Sequence, residues 1–182
     1  MAMDDTALIQ RAVANPGSSA FTELVKRHQS SLRYSLRQLT GGDLGLADDI
    51  AQETFIRAHR TLAGFRGDAK FSTWLYRIAS RLLIDHHRKR RETLGRDQDI
   101  QERADPGVAE NEAQDLHRDL ARAMLHLSID QRLVLHLTLM RDYTQTEVAD
   151  LLDWPLGTVK SHIQRGRERL QQVLSDWQPH HD

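Results

Sequence analysis

Cysteine is absent from the 182 residues, which excludes a disulfide framework, a thiolate metal site and a thiol nucleophile. Proline occurs only four times and glycine ten, so few positions force a break in regular structure. No apolar run approaches the ~20 residues that cross a bilayer. Met1 to Pro16 also lacks the basic-then-apolar layout of a secretory leader, and the chain is expected to be soluble and cytoplasmic, with no membrane insertion of its own. Aromatic residues are just 5 % of the chain, so their grouping in FRGDAKFSTWLYRIASRLLIDHHRKRR, residues 65–91, is informative. The apolar fraction of 39 % suffices for one large domain or two small ones.

A net charge of −1 hides a strong asymmetry. Residues 57–91 carry ten Lys or Arg against two acids, Asp68 and Asp85, whereas residues 92–119 carry nine acids against three arginines. Blocks of opposite sign point to partners rather than to fold.

Apolar residues recur at three- and four-residue intervals through most of the chain, which predicts an all-α protein. The pattern places helices from about Ser19 to Leu39, Leu46 to Ala63 and Phe71 to Arg91, the first stopped by Gly41-Gly42. On the third, Phe71, Trp74, Leu75, Ile78, Ala79 and Leu82 form one apolar stripe, with Arg77, Arg81 and Arg88 on another face. Residues 92–112 are polar, aperiodic and include Asp105-Pro106-Gly107, the composition of a flexible linker. Two small helical domains result, 1–91 and 113–182. In the second, Ser128-Ile-Asp-Gln131 and Thr144-Gln-Thr-Glu147 fit capping boxes. Leu135, Leu137 and Leu139 alternate as in a strand, but the capping signal upstream and the helical surroundings favour helix.

TQTEVADLLDWPLGTVKSHIQRGRERL, residues 144–170, has helix-turn-helix spacing: Val148, Ala149, Leu151 and Leu152, a connection Asp153 to Gly157, then Val159, Ile163 and Leu170 inward. That register leaves Thr158, Ser161, Gln164 and Arg165 outward, flanked by Lys160, Arg167 and Arg169. Hydroxyl, amide and guanidinium groups on such a face read base edges and hold phosphates. An ordinary helical hairpin with a solvated basic face has the same pattern. A third compact signature, DDIAQETF, holds Asp48, Asp49, Gln52 and Glu53 near one helical face, suited to a metal, to acid–base chemistry or to a basic protein surface.

These three segments, in this order around an acidic linker, resemble the extracytoplasmic-function (ECF, group IV) sigma factors of the sigma-70 family, over nearly all of Phe21 to Leu174. The resemblance implies a sigma region 2 helical bundle (1–91), a linker (92–112) and a sigma region 4 helix-turn-helix (113–182). It implies a sigma factor, not an enzyme, which binds core RNA polymerase and directs promoter-specific initiation, with no cofactor, catalytic residue or metal. Asp48, Asp49, Gln52, Glu53 and Phe55 would meet the β′ clamp helices, while the β subunit is also contacted. Phe65, Arg66, Lys70, Trp74, Tyr76, Arg77, Arg81 and Arg88 would capture and melt the −10 element, with Phe65 and Tyr76 on a base. Thr158, Lys160, Ser161, Gln164, Arg165 and Arg167 would enter the major groove of the −35 element. The linker would thread toward the polymerase active site. A cognate anti-sigma factor is implied as a partner, one that can hold the protein at the inner membrane.

Stacking a base on an aromatic side chain contributes about 1–3 kcal/mol, and unstacking one costs a few kcal/mol, so a few captures together with phosphate neutralisation can open a short stretch without ATP. Three positions depart from the family pattern: Arg81 stands where many relatives have Asn, His162 where Arg is frequent, and Gly166 where Ala is frequent. Glycine there costs about 1 kcal/mol of helix propensity, which predicts loosened last turns. Two alternatives explain less. A stand-alone helix-turn-helix regulator accounts for residues 144–170 but not for DDIAQETF or the aromatic–basic helix. A DHH-type metal-dependent phosphoesterase matches Asp85-His86-His87, but that chemistry needs further aspartates converging at strand ends.

Overall fold

The structure, a computed structural model, describes residues 3–94 and 122–176, and every regular element among them is helical. The acidic linker lies outside these residues apart from 92–94, which continue a helix beyond its expected end at Arg91.

The first half contains four helices, α1 (Asp5–Ala14), α2 (Ala20–Leu39), α3 (Leu44–Thr61) and α4 (Phe71–Leu94). The sequence reading did not anticipate α1, although its signals are present. Asp4 caps it by accepting from the Ala7 amide at 2.8 Å, and Leu8, Ile9 and Ala12 form its buried side against α2. Helix α2 closes where Gly41 and Gly42 adopt positive φ of 72° and 89°, returning the Gly42 amide to the Arg37 carbonyl at 2.9 Å. Asp43 caps α3 through the Leu46 amide at 2.9 Å, and small residues Ala47, Ala51 and Ala58 let α3 lie close to its neighbours α2 and α4. The apolar side of α4 is rotated from the expected stripe: Phe71, Leu75, Tyr76, Ala79, Ser80 and Leu83 are buried, while Trp74, Ile78 and Leu82 are half-buried. Tyr76 is drawn in because its hydroxyl has a polar seat, 2.7 Å from Ser35 Oγ and donating to the Ser31 carbonyl at 3.3 Å.

The second half begins with a helical turn at 122–125 and continues as α5 (Ile129–Leu135), α6 (Gln145–Leu152) and α7 (Leu156–Asp176). Both expected capping boxes form, Ser128 with Gln131 and Thr144 with Glu147. The ambiguous leucine-rich stretch is helical: α5 passes into a π turn over His136–Met140, and Leu133 to Leu137 are buried without interruption. Leu135 and Leu137 are buried whereas Leu139 is exposed, so the alternation does not mark a strand's inner face. The register on α7 is as expected, with Val159, Ile163 and Leu170 buried. Gly166 does not mark a loosened turn. A Cβ there would stand 2.8 Å from Leu135 Cδ1 and 3.4 Å from Gln131 Cβ, so its absence lets α7 cross α5 closely.

The two halves pack together, α4 against α5 and α6, and α2 against α5. At their junction the buried Arg132 guanidinium faces carbonyls only. It donates to Leu39 at 2.7 Å, Met124 at 3.0 Å, and Leu125 and Leu127 at 3.3 Å. Burial lowers its pKa from 12.5 to about 10, so it remains charged at neutral pH. Arg132→Ala strands these carbonyls, and a loss of at least about 3 kcal/mol is expected in urea denaturation; an undiminished midpoint would refute this role.

Candidate polymerase and nucleic-acid interfaces

The Asp43 cap starts α3 one turn ahead of the acidic cluster. Asp49 and Gln52 are exposed, Asp48 is half-buried with Arg33 Nε at 3.7 Å, and Glu53 is half-buried and takes Arg57 Nε at 2.7 Å. Phe55 points into the core rather than outward, at 9 % exposure, because the i, i+4 positions Ala51 and Phe55 form the inner stripe of α3. Ile56, next in sequence, is the exposed apolar residue instead, and it borders a cleft of about 460 Å³ shared with Phe21, Val25 and Gln52. Sequence reasoning passed over Ile56 because a helical apolar residue reads as core; the cue was the pair Phe55-Ile56, which cannot both face inward.

The aromatic–basic segment forms a second surface. Phe65 follows a 3₁₀ turn, Leu62–Gly64, and is half-buried against Phe71 and Trp74, with ring centroids 5.9 and 5.2 Å away. Arg66 is exposed and pairs with Asp68 at 3.4 Å, Lys70 is exposed, and Gly67 supplies a φ of 80° in this loop. Along α4, Arg77, Arg81 and Arg88 are exposed, with Arg88 held by Asp85 at 3.1 Å. That ion pair places Asp85 on a helix flank, and no group of three potential metal ligands occurs among the described residues.

Side chains of the second half cover part of this surface. Arg141 lies over the Tyr76 ring at 4.8 Å and donates to Ser31 Oγ at 3.3 Å. Thr73 Oγ1 and Tyr143 Oη are 2.9 Å apart, Arg77 donates to the Asp150 carbonyl at 3.0 Å, and Arg81 meets the Asp153 carboxylate at 3.8 Å. Tyr76, 4 % exposed, is therefore closed to a base in this arrangement, whereas Phe65 and Trp74 keep partly open rings.

The third surface is on α7. The connection from α6 is only Asp153 to Pro155, with Asp153 in the left-handed region at φ 59°; Leu156 and Gly157, expected in the connection, already belong to α7. Thr158, Lys160, Gln164, Arg165 and Arg167 are exposed and Ser161 is half-buried. Gln164 donates to Glu168 at 3.0 Å. His162 packs its ring on Trp154 with centroids 5.5 Å apart, so it supports the turn of the helix-turn-helix. Helix α6 itself is acidic, and Thr144 hydrogen bonds, from backbone and hydroxyl, lower the pKa of Glu147, with Lys70 adding a smaller electrostatic pull.

With these surfaces in view, the kinship is specific. Residues 24–93 match the model of sigma-70 region 2, and residues 117–170 match that of sigma-70, region 4. The ECF RNA polymerase sigma factor SigW of Bacillus subtilis is 34 % identical, over 91 % of this chain and 95 % of SigW. The ECF RNA polymerase sigma-E factor of Escherichia coli K12 is 32 % identical, over 92 % and 93 % of the two chains. CnrH, solved in complex with the cytosolic domain of CnrY, superimposes with a TM-score of 0.67 at 26 % identity, covering 96 % of this chain and 99 % of CnrH. RpoE of Bartonella quintana, solved with the anti-sigma factor NepR, shares the fold with a TM-score of 0.65 at 22 % identity, covering 88 % of this chain and all of RpoE. The class is thus a non-enzymatic transcription initiation factor of the sigma-70 type. Within it, the chain belongs to the ECF RNA polymerase sigma factors.

Beneath the covered surface, His136 is 2 % exposed, and burial together with the nearby Arg141 charge lowers its pKa from 6.5 to about 4. Between these values only the unfolded chain takes up the proton, so stability falls as pH drops through this window. From pH 7 to pH 5 the urea-derived stability is expected to fall by about 2 kcal/mol more in the wild type than in His136→Met. Parallel pH profiles for the two proteins would sink the assignment.

Proposed function

We propose that this chain binds core RNA polymerase through α3, captures and melts the −10 element with the aromatic–basic surface of α4, and reads the −35 element with α7. The observation that carries this proposal is the placement of the charged and amide side chains. Asp49 and Gln52 face solvent on α3, Arg66, Lys70, Arg77 and Arg81 on the α4 side, and Lys160, Gln164 and Arg165 on α7. Asp48, Asp49, Gln52 and Glu53 dock on the β′ clamp helices, and Ile56 adds an apolar edge there. Phe65, Trp74 and, once uncovered, Tyr76 take unstacked bases, while Arg66, Lys70, Arg77, Arg81 and Arg88 neutralise phosphates. Thr158, Lys160, Ser161, Gln164, Arg165 and Arg167 enter the major groove at −35.

Under this division, residues 1–91 and 113–182 act as regions 2 and 4, and the acidic stretch 92–112 occupies a channel shaped for nucleic acid. RpoE of Bartonella quintana was solved bound to an anti-sigma factor, which supports regulation of this chain by a partner of that kind. No helix among the described residues is long and apolar enough to cross a membrane. Attachment at the inner membrane is a role we assign to that partner.

Co-elution with bacterial core polymerase on gel filtration tests the first step. Asp49→Ala is expected to weaken core binding about tenfold with an unchanged urea midpoint. Arg165→Ala should leave core binding intact and weaken −35 recognition by the holoenzyme, with a shallower salt dependence. The same defect in both variants would contradict the assigned division of labour.

A further inference from the structure

The cleft of about 460 Å³ between α2 and α3 has a chemistry that the acidic cluster beside it does not use. On α2, Phe21, Val25, Gln29 and Arg33 recur every four residues, a row about 18 Å long at 1.5 Å per residue. On α3, Gln52, Ile56, His59 and Arg60 line the opposite side, and the buried Phe55 lies between the rows. The two ends differ. At one, the His59 ring meets Phe21 edge to face with centroids 4.7 Å apart, and Arg60 is exposed without an ion-pair partner among the described residues. At the other, Arg33 already has Asp48 at 3.7 Å. Between the ends the walls are the aliphatic Val25 and Ile56, and no acid among the described residues lines the cleft. Its volume falls in the range that holds a small molecule, and an apolar middle beside an unanswered cation suits an anion with an apolar body.

We propose that this cleft binds a small amphipathic carboxylate, with its apolar chain between Val25 and Ile56 over Phe55 and its carboxylate on Arg60. The Arg33 end takes no such group, because the Asp48 carboxylate beside it would repel one. Packed helices have axes ~8–10 Å apart, so a partner helix ~10 Å across would rest on the rim of the cleft, whereas a single alkyl chain reaches Phe55. Gln52 and Ile56 belong both to this cleft and to the surface given above to core polymerase, so an occupied cleft weakens core binding. That consequence rests on the docking role proposed for α3; the ligand site does not.

Methyl NMR of the full chain, titrated with octanoate below its micelle concentration, reads both affinity and location, with octanol as the uncharged counterpart. Octanoate is expected to shift the Val25 and Ile56 methyl signals and to bind about tenfold more tightly than octanol. Arg60→Gln should abolish that preference at an unchanged urea midpoint, because Arg60 is exposed. Ile56→Ser should weaken both ligands about tenfold. Unshifted Val25 and Ile56 signals overturn the site, and so does an equal affinity for the two ligands or a preference that survives Arg60→Gln. Core-polymerase co-elution with and without saturating octanoate then tests the consequence: octanoate should reduce it in the wild type and spare it in Arg60→Gln. Undiminished wild-type co-elution with the cleft occupied overturns the competition. Co-elution of Asp49→Ala without octanoate reports separately on the docking role of α3, so a failure of that role is distinguishable from a failure of the ligand site.

Discussion

The Arg132 guanidinium is the point on which the arrangement of the two halves depends. Burying a cation without a carboxylate is costly, and the cost is offset here by aiming its fork of donors at four carbonyls. Three belong to the turn before α5, and one is Leu39 at the end of α2. A helix C-terminus is electronegative and has carbonyls to spare, so it suits an arginine and gives no comparable seat to a lysine, whose point charge cannot fork. At the same place Gly41 packs against Leu125 and α2 turns toward α3. The contact that joins the halves thus lies beside the turn from α2 into α3.

Helix α4 does two different things with its two sides. Its buried side holds the first bundle together through Phe71, Leu75, Ala79 and Leu83, and its outer side presents arginines. Arg88 is paired with Asp85 on α4 itself, whereas Arg77 donates to the Asp150 carbonyl and Arg81 meets the Asp153 carboxylate at the end of α6. Each of these contacts is solvent-exposed and individually weak.

The departures from the family pattern acquire physical reasons in the same way. Gly166 is a packing residue, since α7 crosses α5 where Leu135 leaves no room for a Cβ. His162 stacks on Trp154 and steadies the short turn before α7. The π turn after α5 widens the helix where His136 and Leu137 are wholly surrounded. The alternation of Leu135, Leu137 and Leu139 resembles a strand, but the segment is helical, as the Ser128 capping signal upstream favoured.

The sequence by itself determined the all-helical class, the capping boxes at Ser128 and Thr144, the helix-turn-helix register and the family, because these follow from local chemistry and from the spacing of apolar residues. Asp49, Gln52, Lys160 and Arg165 were legible as surface groups for the same reason. What tertiary structure decided were features that depend on residues far apart in the chain. Phe55 turned inward, Ile56 turned outward, Tyr76 was drawn down by Ser31 and Ser35, and Arg132 found the Leu39 carbonyl. Periodicity tells which side of a helix is apolar, but not which of two adjacent apolar residues meets a neighbour. Nor can a run of arginines reveal that the end of another helix lies against it, because that contact exists only once the halves have packed.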